Sequence, residues 1–170
     1  MGLTSYSGGY AVNCCYQIDT AAVAEVIDDI DNSNGGPVLE ILLSTPGGGV
    51  LAGLALYDYL RWQRHRGVHV TISVLGLAAS IAPVILQAAD HRVIGAESYL
   101  LIHPAEMAAE DEDSELTGET PLIQLVQAQI VRILAARSHL TDTDITHRMA
   151  GGWWLTAKAA LEHGLVDEIR

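Results

Sequence analysis

The chain has 170 residues, 49% of them hydrophobic, and a formal net charge of −12 at pH 7. That length and apolar share suit one folded domain with its own core and exclude a disordered chain, while the acidic balance argues against nucleic acid and anionic membrane surfaces as partners. Two adjacent cysteines, Cys14 and Cys15, offer neither a disulfide within the chain nor a metal-ligand spacing, and no apolar run is long enough to span a membrane.

The N-terminus, "MGLTSYSGGYAV", lacks a basic segment followed by an apolar core, so a cytoplasmic setting is expected. "YAVNCCYQI" then reads as a strand, and Asp19 or Thr20 caps a helix through "AAVAEVIDDID", stopped by "NSNGGP". "VLEILLS" reads as a buried strand, "TPGGG" as a loop, and "VLAGLALYDYLRWQRH" as a helix with apolar residues at helical spacing. "VHVTISVLG" predicts the next strand, "AASIAPVILQAA" the next helix, and "HRVIG" and "SYLLIH" two short strands. After an acidic interruption, "PLIQLVQAQIVRILAARSHL" predicts a long amphipathic helix, and Asp142 or Thr143 starts a shorter one. "WWLTAKAALEHG" predicts a helix ending at Gly164, with "LVDEI" as the last strand. Such strand–helix alternation, without a linker or an internal repeat, predicts one α/β domain over residues 1–170 with largely parallel pairing.

Three stretches carry chemistry. In "STPGGGVLAG", glycines between a strand and a helix permit unusual backbone angles and leave N–H groups able to hold a developing oxyanion. A plain strand–helix turn explains the same residues. The stretch lacks the ending of a phosphate-binding loop and the spacing of a dinucleotide fingerprint. In "GLAASIAP", Ser80 stands at a strand-to-helix junction, where it is either a helix cap or a nucleophile favoured by the helix's positive end. In "YLLIHP", His103 closes an apolar strand, as a structural histidine or as a base for Ser80.

The order of these pieces resembles the ClpP family of serine peptidases, over about Ile18 to Arg170. "STPGGGVLAGLALYDYL" is similar to that family's glycine loop and following helix, "GLAAS" to its nucleophile segment, "ESYLLIHPAE" to its histidine segment and "WLTAKAALEHGLVDEI" to its C-terminal signature. The resemblance implies a ClpP/crotonase-like spiral of βαβ units with a protruding long helix. It implies Ser80 as nucleophile, His103 as general base, and the N–H groups of Gly47 or Gly48 and of Ile81 as the oxyanion hole. It implies no metal and no cofactor. The expected substrate is a peptide or unfolded protein, and the expected assembly is a homo-oligomeric ring or a hetero-oligomer with a paralogue. A Clp ATPase is a further expected partner, although the N-terminal docking segment is short. A weakly active or non-catalytic subunit is the alternative, and a crotonase-type acyl-CoA enzyme a more distant one.

Two departures from the family pattern matter. The position of the family's triad aspartate is Gly152 here, so a Ser–His dyad is expected, with Asp90, Asp142 or Asp144 as substitute acids. Where the family has a glycine-rich strand after the histidine, this chain has "EMAAEDEDSELTGE", whose carboxylates are expected to oppose ring stacking. The acidic segment and long helix, residues 105–138, are expected to form the counterpart of the family's protruding handle.

Overall fold

The computed structural model describes residues 4–6, 9–33, 36–106 and 121–170. The expected acidic segment falls almost wholly in 107–120, outside the described residues. Strand β1 (Thr4–Tyr6) pairs antiparallel with β2 (Gly9–Cys14), which is followed by helix α1 (Thr20–Asn32). Asp19 caps α1 by accepting the Ala22 N–H at 2.7 Å, and Val23, Val26 and Ile30 turn one stripe of the helix inward. Strand β3 (Val38–Thr45) alternates between fully and partly buried residues and leads into α2 (Val50–His65). Helices α1 and α2 and strand β3 match the sequence pattern because each carries its periodicity undisturbed over its length, whereas β1 was not expected and β2 ends at Cys14, short of the Ile18 its pattern suggested.

Strand β4 (His69–Ala79) is longer than its sequence pattern suggested and pairs along one edge with β3. Its other edge serves two partners. Residues Thr71–Val74 pair with β5 (His91–Ile94), and Leu77–Ala79 pair with β6 (Tyr99–Ile102), all parallel. Because β4 runs on to Ala79, the helix expected over 78–89 shrinks to α3 (Ala82–Leu86), five residues and all buried. A helix that short has little dipole to offer Ser80, so that expectation is revised.

Helix α4 (Pro121–Ala136) buries Ile130, Val131, Ile133 and Leu134 but leaves Leu122 and Leu125 exposed. Helix α5 (Asp142–Met149) starts from a capping box, in which Thr141 and Asp144 satisfy each other's backbone N–H groups. The expected helix from Trp153 onward is in part a strand. Residues Trp153–Thr156 form β7, antiparallel to β6, and only Ala157–Glu162 form the helix, α6. Aromatic and β-branched side chains suit a pleated half-buried surface, and Thr156 then caps α6 by accepting the Ala159 N–H. Strand β8 (Glu168–Ile169) closes the sheet beside β5. The result is an α/β fold with a mostly parallel sheet, as expected, and most of its buried apolar residues, from Tyr10 to Val166, form one cluster. Among the described residues no helix is long and apolar enough to cross a membrane.

One charged group is sealed into this frame. Arg92, on β5 and 5% exposed, forms a forked pair with Asp167 and donates to Gln87 Oε1 and the Arg137 carbonyl, each at 2.6 Å. It thereby ties β5 to the end of α3, the end of α4 and the C-terminal turn. Burial alone would raise the Asp167 pKa, but hydrogen bonds from Arg92 and its charge hold the carboxyl below the ordinary range. Its contribution to stability is therefore present above about pH 4 and lost as pH falls through the lower folded-state value. Replacing Asp167 by Asn is expected to lower stability by about 2–4 kcal/mol, because it strands a buried guanidinium, and to flatten the acid limb of the stability curve. Urea titrations of both proteins between pH 3 and 7 check this, and equal curves refute it.

Candidate active site

Thr45, the last residue of β3, is buried and organises the glycine loop. Its hydroxyl donates to the Tyr16 carbonyl and accepts the Gly47 N–H at 3.0 Å. Gly47 then turns through φ 100° and Gly48 through φ 149°, angles that side chains rarely adopt. The outer edge of the loop is occupied by Ile18, whose N–H donates to the Gly47 carbonyl (2.7 Å) and whose carbonyl accepts the Gly49 N–H (2.6 Å). A Cβ on Gly48 would press against the Ile18 main chain, and one on Gly47 would come within 2.7 Å of the Ala79 carbonyl and 3.1 Å of Ser80 Oγ. The loop is thus glycine because two other chain segments lie against it. Of its N–H groups, that of Gly47 is taken by Thr45 and that of Gly49 by Ile18, while that of Gly48 has no acceptor among the described residues.

Ser80 follows the end of β4 at φ 62°, the one non-glycine residue with positive φ among the described residues. That conformation costs about 1–2 kcal/mol for an L-residue and persists where the surroundings over-determine it. Here the Ser80 N–H donates to the Leu101 carbonyl at 2.9 Å, fixing it to β6, and Gly47 leaves room for its side chain. The helix-cap alternative for Ser80 is not what the structure contains, since Ile81 is the residue at the α3 N-cap and no side-chain cap bond is made there. Ile81 is buried and its N–H has no acceptor among the described residues. A glycine in the middle of α2, Gly53, lets that helix approach. A Cβ there would overlap the Ile81 side chain, reaching Cγ2 at 2.9 Å. Gly53 costs the helix about 1 kcal/mol relative to alanine, which the close contact explains.

His103 directly follows β6, half-buried, and continuing the β4–β6 register sets Ile102 level with Ser80 and His103 one step further on, level with Ile81. Its Nδ1 lies 2.8 Å from the Pro104 carbonyl. A carbonyl only accepts, so this contact is a hydrogen bond in the tautomer that carries the proton on Nδ1 and leaves the Nε2 lone pair free. Ser80 and His103 therefore share one end of the sheet, although no hydrogen bond joins their side chains among the described residues. Such bonds often close only around substrate.

The β6–β7 register pairs Ile102 with Trp153, so its next step sets Gly152 opposite His103. Gly152 has φ 78°, and a Cβ on it would meet only Leu101 Cδ1, at 3.9 Å. The sequence offers three other acids. Asp90 bonds Arg64 (2.6 Å) and the Val70 N–H (2.9 Å), at the opposite end of β4 from Ser80, and its assignment near the nucleophile is corrected. Asp144 is held in its capping box, whose Thr141 hydrogen bonds push its pKa down. Asp142 is exposed and borders a cavity of about 530 Å³ that also touches Pro104, Ala105, Ile123, Val131 and Met149. No carboxylate bonds His103 among the described residues. Burial pushes the Cys14 thiol up to about 12, so it stays protonated and inert at neutral pH.

Thr45 and Gly53 were not singled out from sequence. A signal existed for Thr45, since a hydroxyl two residues before a glycine favours this turn. For Gly53 the signal was a glycine interrupting a helical apolar pattern.

A family profile described as Clp protease matches residues 12–170. The chain is 28% identical over 162 residues to an "ATP-dependent Clp protease proteolytic subunit" of Chlorella vulgaris, covering 91% of this chain and 78% of that protein. A protein of the same name from Bacteroides thetaiotaomicron is 29% identical, over 82% of this chain and 63% of the relative's length. An "ATP-dependent Clp protease proteolytic subunit 2" of Tropheryma whipplei is 30% identical, over 76% and 72% respectively. The chain thus spans about two thirds to three quarters of these relatives.

Replacing Thr45 by Val keeps the shape but leaves the buried Gly47 N–H unpaired, which is expected to lower stability by about 1–3 kcal/mol. Denaturant unfolding measures it, and an unchanged midpoint contradicts the role given to Thr45.

Proposed function

This chain belongs to the Clp protease family, and we propose that it is a serine peptidase that cleaves peptide bonds with Ser80 as nucleophile and His103 as general base. The supporting observation is the meeting of a glycine loop, a serine held at positive φ and a histidine whose Nδ1 faces a backbone carbonyl at one end of the sheet. As Ser80 Oγ attacks the scissile carbonyl, His103 Nε2 takes its proton. The oxygen that becomes negative is received by the N–H groups of Gly48 and Ile81, which are preset and need no reorganisation. Collapse of the tetrahedral intermediate passes the proton from His103 to the leaving amine and leaves an acyl-serine. Water then repeats the sequence with the same base. The mostly apolar cavity beside Pro104 suits an apolar substrate side chain next to the scissile bond.

The relatives' names describe subunits of an ATP-dependent protease, and we extend that to this chain: a cytoplasmic oligomeric peptidase that receives unfolded protein from a Clp ATPase. Leu122 and Leu125, exposed on α4, are the apolar surface we assign to subunit contacts. Gly152 favours a second reading, a weakly active subunit that assembles with an active paralogue, because a glycine cannot neutralise the imidazolium formed during attack.

A fluorophosphonate probe is expected to label Ser80, and Ser80→Ala to abolish both labelling and hydrolysis of short fluorogenic peptides. Retained hydrolysis in the alanine variant would remove Ser80 from the mechanism. Gly152→Asp is expected to raise kcat about tenfold, or ~1.4 kcal/mol of transition-state stabilisation. The same change costs stability by about 1 kcal/mol, since aspartate tolerates positive φ only moderately. Single-turnover kinetics on the folded variant decide it, and no gain in rate means that a carboxylate at 152 does not reach His103.

A further inference from the structure

We propose that Gln127, on α4, is a positioning residue for His103: it fixes the peptide unit whose carbonyl takes the Nδ1 proton, the task left undone by the glycine at 152. The proposal rests on the reading of His103 as the general base.

After β6 ends at Ile102, residues 103–106 have no regular secondary structure to direct their peptide groups. The Pro104 carbonyl nevertheless accepts from His103 Nδ1 at 2.8 Å. That carbonyl and the Ala105 N–H belong to a single peptide unit, planar and trans, so whatever fixes the N–H fixes the carbonyl, which points the opposite way. The Ala105 N–H donates to Gln127 Oε1 at 2.8 Å. Gln127 is itself held at its other end, where Nε2 lies 3.1 Å from Met149 Sδ. An N–H can only donate and a thioether can only accept, so the amide has one orientation that satisfies both. Met149 is 1% exposed, and its carbonyl accepts the Gly152 N–H at 3.0 Å.

A single line of contacts therefore runs from Gly152 through Met149 and Gln127 to the Ala105–Pro104 peptide and His103. It starts beside the position where a carboxylate would stand and ends on the ring nitrogen that a carboxylate would hold. A neutral carbonyl performs half of the acid's work. It selects the Nδ1–H tautomer and so keeps Nε2 free for the serine proton, but supplies no full charge to the imidazolium. Gln127 reaches His103 only through the peptide, so its effect is on the ring's tautomer and orientation.

The test measures the His103 tautomer by nitrogen NMR on histidine-labelled full-length protein, the resonances being assigned by their loss in His103→Gln. The wild type is expected to show Nδ1–H as the dominant form. Gln127→Leu, similar in size but unable to hydrogen-bond, is expected to give a mixture with Nε2–H. Its kcat on short peptides should fall about tenfold, with KM changed less than twofold. Gln127→Glu keeps the acceptor for Ala105 and is expected to keep the Nδ1–H form. A wild type with Nε2–H dominant overturns the proposal without any variant. So does a folded Gln127→Leu, or Gln127→Ala if the leucine variant does not fold, whose tautomer matches wild type. Because the tautomer is read without substrate, its outcome is separable from that of the peptidase assignment. Persistent hydrolysis by Ser80→Ala defeats the assignment while leaving the tautomer result standing.

Discussion

The structure depends on the double use of one strand edge. Strand β4 is paired with β3 along one side, so β5 and β6 must share the other. The hand-over occurs at Gly76, at φ 75°, whose N–H donates to the hydroxyl of buried Ser98 at 2.8 Å. The β3–β4 register shifts in the same stretch, between Leu43 and Thr45. Beyond this point the free edge of β4 passes from β5, which pairs with β8, to β6, which pairs with β7. A register shift and a glycine at positive φ together let a strand change partners along one edge. Ser80, His103 and Gly152 all lie beyond that hand-over. Ser80 follows β4, His103 follows β6, and Gly152 precedes β7.

A serine at positive φ stays in place only if its neighbours leave it no alternative. Here the constraint comes from several directions at once. The Leu101 carbonyl holds its N–H, Gly47 leaves room only for this path of the chain, and α3 behind it is buried throughout. The Arg92 network adds rigidity by tying the ends of α3 and α4 to β5 and the C-terminal turn. A buried cation linking four segments is a weak source of net stability but a strong source of a unique arrangement, because any slip leaves a charge or a carbonyl unpaired.

Among the described residues the ring of His103 has a backbone carbonyl, and no carboxylate, within hydrogen-bond distance. An acid in the triad has two functions, fixing the tautomer and offsetting the imidazolium charge, and the geometry separates them. A backbone carbonyl performs the first at the expense of the second. It also makes the site dependent on α4, since the peptide that carries this carbonyl is anchored there and not within the sheet. Helix α4 thus carries both the exposed Leu122 and Leu125 and the Gln127 that accepts the Ala105 N–H.

The sequence by itself determined the elements whose periodicity is local and uninterrupted: α1, α2, β3, β5 and β6, together with the α/β class that their alternation implies. The motif order also pointed to the Clp protease family, to which the chain belongs, and singled out Ser80, His103 and the glycine loop. Only the tertiary structure decided matters that depend on contacts between distant segments. The region from Trp153 becomes a strand because β6 offers it an edge, and the helix after Ser80 is short because β4 is held in pairing to Ala79. Asp90 is excluded as a partner of His103 because Arg64 and Val70 claim it at the other end of the sheet. Gly47 and Gly48 have the same local sequence signature, yet the hydroxyl of Thr45 takes the N–H of one and leaves the other. Gln127 has no signature at all, since its importance arises from a hydrogen bond across 22 residues of chain, which no local pattern encodes.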